Sequence, residues 1–219
     1  MAPASKLRTT RVWDWSVRLF HWVLLVVFLT LFITARLGAM RLHFLAGGIV
    51  LTLVAFRLIW GVVGSQTARF SSFIVGPRRL LGYLRSGRKS KLGHNPLGGL
   101  MVIAMLATLL GQVTSGLFAT GDSMIEGPLA HLIAPSLSMQ SYKVHRFLSS
   151  VLLSLSALHV LAIAFHWLVL KENLVLPMLT GRAKVQADMA DASMAANRLA
   201  LVVWGLVLGG IFVAAAMLL

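Results

Sequence analysis

Apolar residues fall in five long blocks, separated by short stretches that are basic, polar or rich in glycine and proline. The blocks cover roughly residues 19–35, 42–63, 97–119, 144–170 and 199–219. A helix needs about 20 largely apolar residues to cross about 30 Å of hydrocarbon, so each block predicts a membrane-crossing helix. Basic residues precede the first block, as they do in a signal peptide. Its apolar run outlasts the usual segment of about 7–15 residues and no small-x-small cleavage site follows, so the expectation is a retained helix. Residues 71–88 interleave Phe73, Ile74, Leu80, Leu81, Tyr83 and Leu84 with arginines, the pattern of an amphipathic segment lying on a membrane surface. Residues 121–141, with Gly127-Pro128 and Pro135, predict an irregular connection. Residues 183–197 are small and polar and predict a linker, and no internal repeat is visible.

Composition turns this pattern into a solvent argument. Apolar residues make up 58% of the 219 and charged residues 12%, against about 25% charged in ordinary soluble domains. The chain cannot cover its own core with polar surface, so its partner is the lipid bilayer. The net charge of +14 would suggest nucleic acid in a soluble protein, but here the basic residues sit between the apolar blocks and report topology instead. Of the 20 Lys and Arg, 16 fall in the N-terminal tail, the second-to-third connection, the segment after the fourth block and the neighbouring helix ends (Arg57, Arg198). Only Arg36, Arg41, Lys143 and Arg146 lie on the opposite side. The asymmetry predicts a multi-pass protein of the bacterial inner membrane with its N-terminus cytoplasmic and its C-terminus periplasmic.

No cysteine is present, which removes disulfides, thiolate zinc, iron–sulfur clusters and covalently attached c-type haem. The six Asp and Glu are too few for a calcium or di-metal carboxylate site. Histidine is the remaining ligand stock. An ionisable side chain inside a membrane span is costly and points to function, and four histidines lie in or at the ends of predicted spans: His21, His43, His145 and His159. His145 and His159 are fourteen residues apart, about 21 Å along one face of a helix. His145 is level with His43, and His159 approaches the level of His21. Two pairs drawn from different helices suit two haems, each gripped by two imidazoles inside a helical bundle. Single structural histidines, or a haem-free proton or metal transporter, use the same residue type, although transporters usually place Asp or Glu in their spans.

Gly47-Gly48 after His43 and Ser149-Ser150 after His145 leave room for a flat macrocycle, and equally for close helix packing. Arg57 and Arg146 are candidates to pair with haem propionates, with snorkelling to lipid headgroups as the alternative. His166, seven residues past His159, and His94, just before Pro96, are candidate quinone contacts; structural roles at the interface and in the turn are the alternatives. His131 reads as solvated, and Trp13, Trp15, Trp22 and Trp167 as an interfacial aromatic belt.

Several strings resemble a known family. Trp15-Ser16-Val17-Arg18-Leu19-Phe20-His21-Trp22, then His43, then Leu92-Gly93-His94-Asn95-Pro96-Leu97-Gly98-Gly99, Thr114-Ser115-Gly116-Leu117-Phe118, the pair His145 and His159, and Asn173-Leu174-Val175 with Met178 and Thr180-Gly181-Arg182 are similar to bacterial cytochrome b561 and the cytochrome b subunits of nickel–iron hydrogenases. The resemblance runs from about Trp13 to Lys184. It implies an all-α membrane protein: a four-helix cytochrome b bundle over residues 13–184, with a linker and an added fifth helix over 185–219. It implies two haems b, with His21 and His159 as inner axial ligands and His43 and His145 as outer ones. The implied function is electron transfer across the membrane between quinone and a redox partner, such as a periplasmic cytochrome. A membrane-anchor subunit of a periplasmic dehydrogenase or hydrogenase is a second reading. Nothing resembles a nucleophile–base set or a phosphate loop. Whether the chain turns quinone over as an enzyme stays open at this point.

Overall fold

The computed structural model describes residues 7–86, 92–121, 125–187 and 189–218. In chain order the elements are β1 (Leu7–Arg11), α1 (Trp15–Leu37), α2 (Met40–Val63), α3 (Phe70–Phe73), α4 (Pro77–Ser86), α5 (Pro96–Phe118), α6 (Pro135–Leu168), α7 (Val175–Thr180), β2 (Arg182–Gln186) and α8 (Asn197–Leu218). Helices α1, α2, α5 and α6 are long and apolar enough to cross a membrane. The stretch Asn197–Phe212 of α8 is a shorter apolar helix. The architecture is therefore a helical membrane bundle of four spans with an additional apolar helix.

Local chemistry sets the helix starts. Pro77, Pro96 and Pro135 each occupy a first helical position, where a missing N–H costs nothing and the fixed φ is already helical. Asn95 Oδ1 accepts the Gly98 N–H at 2.7 Å, and Asp14 Oδ1 accepts the Val17 N–H at 2.8 Å, so α5 and α1 carry side-chain N-caps. Gly38, at φ +70°, allows the tight reversal from α1 into α2.

Three expectations change. The connection ahead of the fourth span is helical from Pro135 onward, because Ser138 is buried and its hydroxyl donates to the Phe118 carbonyl at 2.7 Å, anchoring the extra turns. The segment expected as one amphipathic element is two short helices, α3 and α4, with Leu81 and Leu84 exposed. Part of the expected linker is a strand: β2 pairs antiparallel with β1, Leu7 opposite Gln186 and Arg11 opposite Arg182. Thr10 and Val185 are the buried residues of the two strands, β-branched side chains that suit a pleated, half-buried surface. Asp191 accepts from Arg8 at 2.8 Å and from the Thr10 hydroxyl. Of the basic set used to predict topology, Lys6, Arg88, Lys89 and Lys91 lie outside the described residues.

Contacts group the chain into two compact units, residues 1–22, 56–100 and 162–219, and residues 23–55 and 101–161. The second unit holds a buried apolar cluster drawn from all four long helices: Val27 of α1, Ala46, Val50 and Val54 of α2, Leu109 of α5 and Leu152 of α6. The first unit contains the β-ribbon, the short helices and α8. Large apolar side chains such as Val26, Leu29, Phe147, Leu161 and Leu206 remain exposed, as they must when the surrounding solvent is lipid.

Candidate functional site

In the second unit, helix packing brings the rings of His43 and His145 close together, edge to face. Their ring centroids are 6.4 Å apart and their planes are inclined by 75°. His43 opens α2 and points its Nδ1 at the Leu31 carbonyl and at the Thr34 hydroxyl, each at 3.2 Å. Thr34 is itself buried and donates to backbone carbonyls of its own helix. His145 points its Nδ1 at the Gln112 carbonyl at 2.9 Å. A carbonyl accepts and cannot donate, so both rings carry their proton on Nδ1. The lone pair of each ring is then on Nε2. This is the arrangement in which a backbone carbonyl fixes the tautomer and orientation of a metal-binding histidine.

Two imidazoles on opposite sides of one metal, bound at about 2.0 Å each, put their centroids roughly 6.3 Å apart. The observed centroid separation of 6.4 Å is close to that value. The site also has a shaped wall. A β-carbon added at Gly116 would meet His145 Cε1 at 2.9 Å and Nδ1 at 3.0 Å. β-Carbons at Gly47 or Gly48, one turn along α2 from His43, would meet nothing within 4 Å. One competitor exists: the Gln112 side-chain amide lies 3.1 Å from His145 Nε2. An iron held at that nitrogen would have to displace the amide.

His21 lies in the first unit and His159 in the second. His21 meets Trp22 edge-on, centroids 5.0 Å apart, and the Trp22 indole donates to the Met178 carbonyl at 3.3 Å. His159 is half-buried on α6. Among the remaining candidates, Arg57 is 3% exposed, donates from Nη2 to the Ala68 carbonyl at 3.1 Å and lies over the Phe70 ring. Arg146 is exposed and lies over Tyr142, 5.9 Å from its centroid. His94 packs between Trp13 and Phe73, centroids 4.7 and 4.8 Å away. The cap of α5 belongs to its neighbour Asn95. His166 Nδ1 pairs with Glu172 Oε2 at 2.8 Å. His131 sits exposed in a single 3-10 turn, Ala130–Leu132.

Gln112, Thr34 and the Leu31 carbonyl were invisible as site residues in the sequence. Gly116 stood within a family-like string, but its contact with His145 follows from the packing of α5 on α6. Among the described residues, no group of three or more His, Asp or Glu gathers that could hold a metal ion.

No curated protein and no solved structure matches the chain. The family model of prokaryotic cytochrome b561 matches residues 12–181, a stretch that takes in all four long helices and every histidine discussed above. His43 and His145, half-buried with carbonyl-fixed tautomers, lie within this matched stretch, and the chain belongs to the prokaryotic cytochrome b561 family, membrane b-type cytochromes of electron transfer.

Proposed function

We propose that this chain is a di-haem b cytochrome that carries electrons across the bacterial inner membrane between quinone and a redox partner. The observation that carries the reading is the opposed pair His43 and His145, 6.4 Å between centroids, each ring anchored through Nδ1 to a carbonyl. These two would hold the outer haem, and His21 with His159 the inner one. The inner assignment is supported by the fourteen-residue spacing of His145 and His159 on α6. A haem with two axial histidines exchanges single electrons and has no vacant position for oxygen.

The chain's own residues supply position and charge. Leu31 and Gln112 fix ring orientation through their carbonyls; Arg57, buried with one guanidinium nitrogen on a carbonyl, would receive a propionate at the inner end. The exposed Arg146 is the weaker candidate at the outer end. The His166–Glu172 pair offers a hydrogen-bonded proton acceptor where quinol would lose protons, whereas His94 is held by aromatic rings and serves the turn. The excess of Lys and Arg on one side supports a cytoplasmic N-terminus, with α8 as a fifth crossing appended to a cytochrome domain of residues 13–184.

Haem quantification and low-temperature absorption spectra of the purified full-length protein test this. Two haems b per chain are expected, low-spin in both redox states. His43→Ala or His145→Ala removes one, and His21→Ala or His159→Ala the other. Haem content unchanged in all four variants would overturn the ligand assignment.

A further inference from the structure

The fifth helix has a structural connection that leads back to a buried charge. Trp204 of α8 stacks on Phe56 of α2, centroids 3.7 Å apart and planes 5° apart. Phe56 stacks in turn on Trp60 at 5.6 Å and 19°. The Trp60 indole donates to Asp14 Oδ2 at 3.0 Å, while Asp14 Oδ1 caps α1 through Val17. Phe56 is fully buried and Trp60 1% exposed. Ala200, Val203 and Val207 of α8 are buried too, whereas Leu201, Leu206 and Leu208 face outward. All of these residues lie in the first unit.

Arg57 is the next residue along α2, and it too is buried. Its Nη2 is on the Ala68 carbonyl, and its Nη1 has no hydrogen-bond partner among the described residues. Asp14 is the carboxylate that acts on it electrostatically, with both oxygens already engaged by Val17 and Trp60. A buried charge so thinly compensated is expensive to keep, and in a water-poor surround its field reaches further than at a surface. His21 follows Asp14 by seven residues, two helical turns or about 10 Å.

We propose that α8 is a cover for this charge pair, with Trp204 as a positioning residue. Pressing through Phe56 on Trp60, it keeps water from Asp14 and Arg57 and holds the carboxylate on the indole. Arg57, the residue that would receive a propionate of the haem at His21, then acts there as a buried positive charge that offsets the propionate, which favours the reduced haem and raises its midpoint potential. The inference rests on the assignment of a haem to His21. It gives the fifth helix a function in setting the potential of one haem and not the other.

Redox titration of the full-length protein in lipid nanodiscs, with the two haem signals followed separately, tests it. Arg57→Gln is expected to lower the midpoint potential of the haem at His21, and Asp14→Asn to raise it. Trp204→Leu and Trp60→Phe each lower it, because water or a released carboxylate then offsets Arg57; the other haem keeps its potential. In the Asp14→Asn background Trp204→Leu has a smaller effect, because only the admitted water still offsets Arg57, as coupled residues require. A Trp204→Leu potential equal to wild type, an equal shift with Asp14→Asn present, or parallel shifts of both haems would each overturn the cover. A second readout needs no haem: hydrogen exchange of the Trp60 indole N–H is expected to speed up at least tenfold in Trp204→Leu. Unchanged exchange refutes the cover, whereas His21→Ala protein that keeps both haems refutes only the His21 assignment.

Discussion

His145 rests against Gly116 so closely that a β-carbon there would lie 2.9 Å from its Cε1. Neither partner can yield easily, since the ring is tied through Nδ1 to the Gln112 carbonyl and Gly116 is part of the α5 backbone. Gly116→Ala is expected to push the imidazole off its carbonyl anchor at a cost of about 1–3 kcal/mol, the usual range for overpacking. Spectra of the variant should show one haem lost or converted to high spin, with the second intact. A wild-type spectrum would show that α5 does not fix this ring.

Gln112 plays two opposed parts at the same ring. Its carbonyl orients His145, while its side-chain amide occupies the lone pair on Nε2 at 3.1 Å. Gln112→Met keeps the carbonyl and the side-chain length but removes the amide. A neutral hydrogen bond is worth about 1 kcal/mol net, so haem titration of apoprotein should give up to about fivefold tighter binding at this site. Weaker binding would mean that the amide supports the bound haem instead of competing with it.

Asp191 ties the segment after β2 to β1. The Thr10 hydroxyl first, and then the Arg8 guanidinium, hold its carboxyl below the usual carboxylate range. A carboxyl depressed on folding contributes stability that is present above its unfolded pKa and lost as pH falls through the folded value. The protection of the Leu7–Arg11 and Arg182–Gln186 amides against exchange, taken relative to an unfolded chain at each pH, should therefore be high at neutral pH and fall only as the pH drops below the ordinary carboxylate range. In Asp191→Asn this acid-dependent component should be gone.

Lys171 follows the end of α6 at φ +58°, a left-handed conformation costly for a side chain with a β-carbon. The turn it makes brings the Glu172 N–H to the His166 carbonyl at 2.9 Å and its carboxylate to His166 Nδ1. Lys171→Gly is expected to stabilise the protein by up to about 1 kcal/mol, as strain relief outweighs the added chain entropy. Thermal unfolding should show a raised midpoint with haem content unchanged. Glu172→Gln, which leaves the turn but removes the charge facing His166, should slow quinol oxidation more than it alters haem reduction by dithionite.

Apolar block length is a one-dimensional property, and it located all four long helices and α8. The levels of His43 and His145 were likewise legible, because the rise of a helix per residue is fixed and both residues stand near helix starts. The β-ribbon was not legible: each strand has only five residues, and they pair across nearly the whole chain. Neither strand carries a pattern strong enough to call for its partner. His94 was a natural choice for bracing the turn before α5, yet Asn95 does the capping because its shorter oxygen-bearing side chain reaches the Gly98 N–H.

By itself the sequence determined the solvent, the number of long apolar segments and the chemistry of any ligand set, because hydrophobic length, charge asymmetry and the absence of cysteine need no partner to act. Only the tertiary structure decided which carbonyls orient His43 and His145, that Gly116 rather than a larger residue must face the ring, and that α8 stacks over the turn bearing Arg57. Those relationships depend on which faces of separate helices meet. Helix rotation and pairing in lipid are set by close packing of side chains distant in sequence, and no local pattern encodes that.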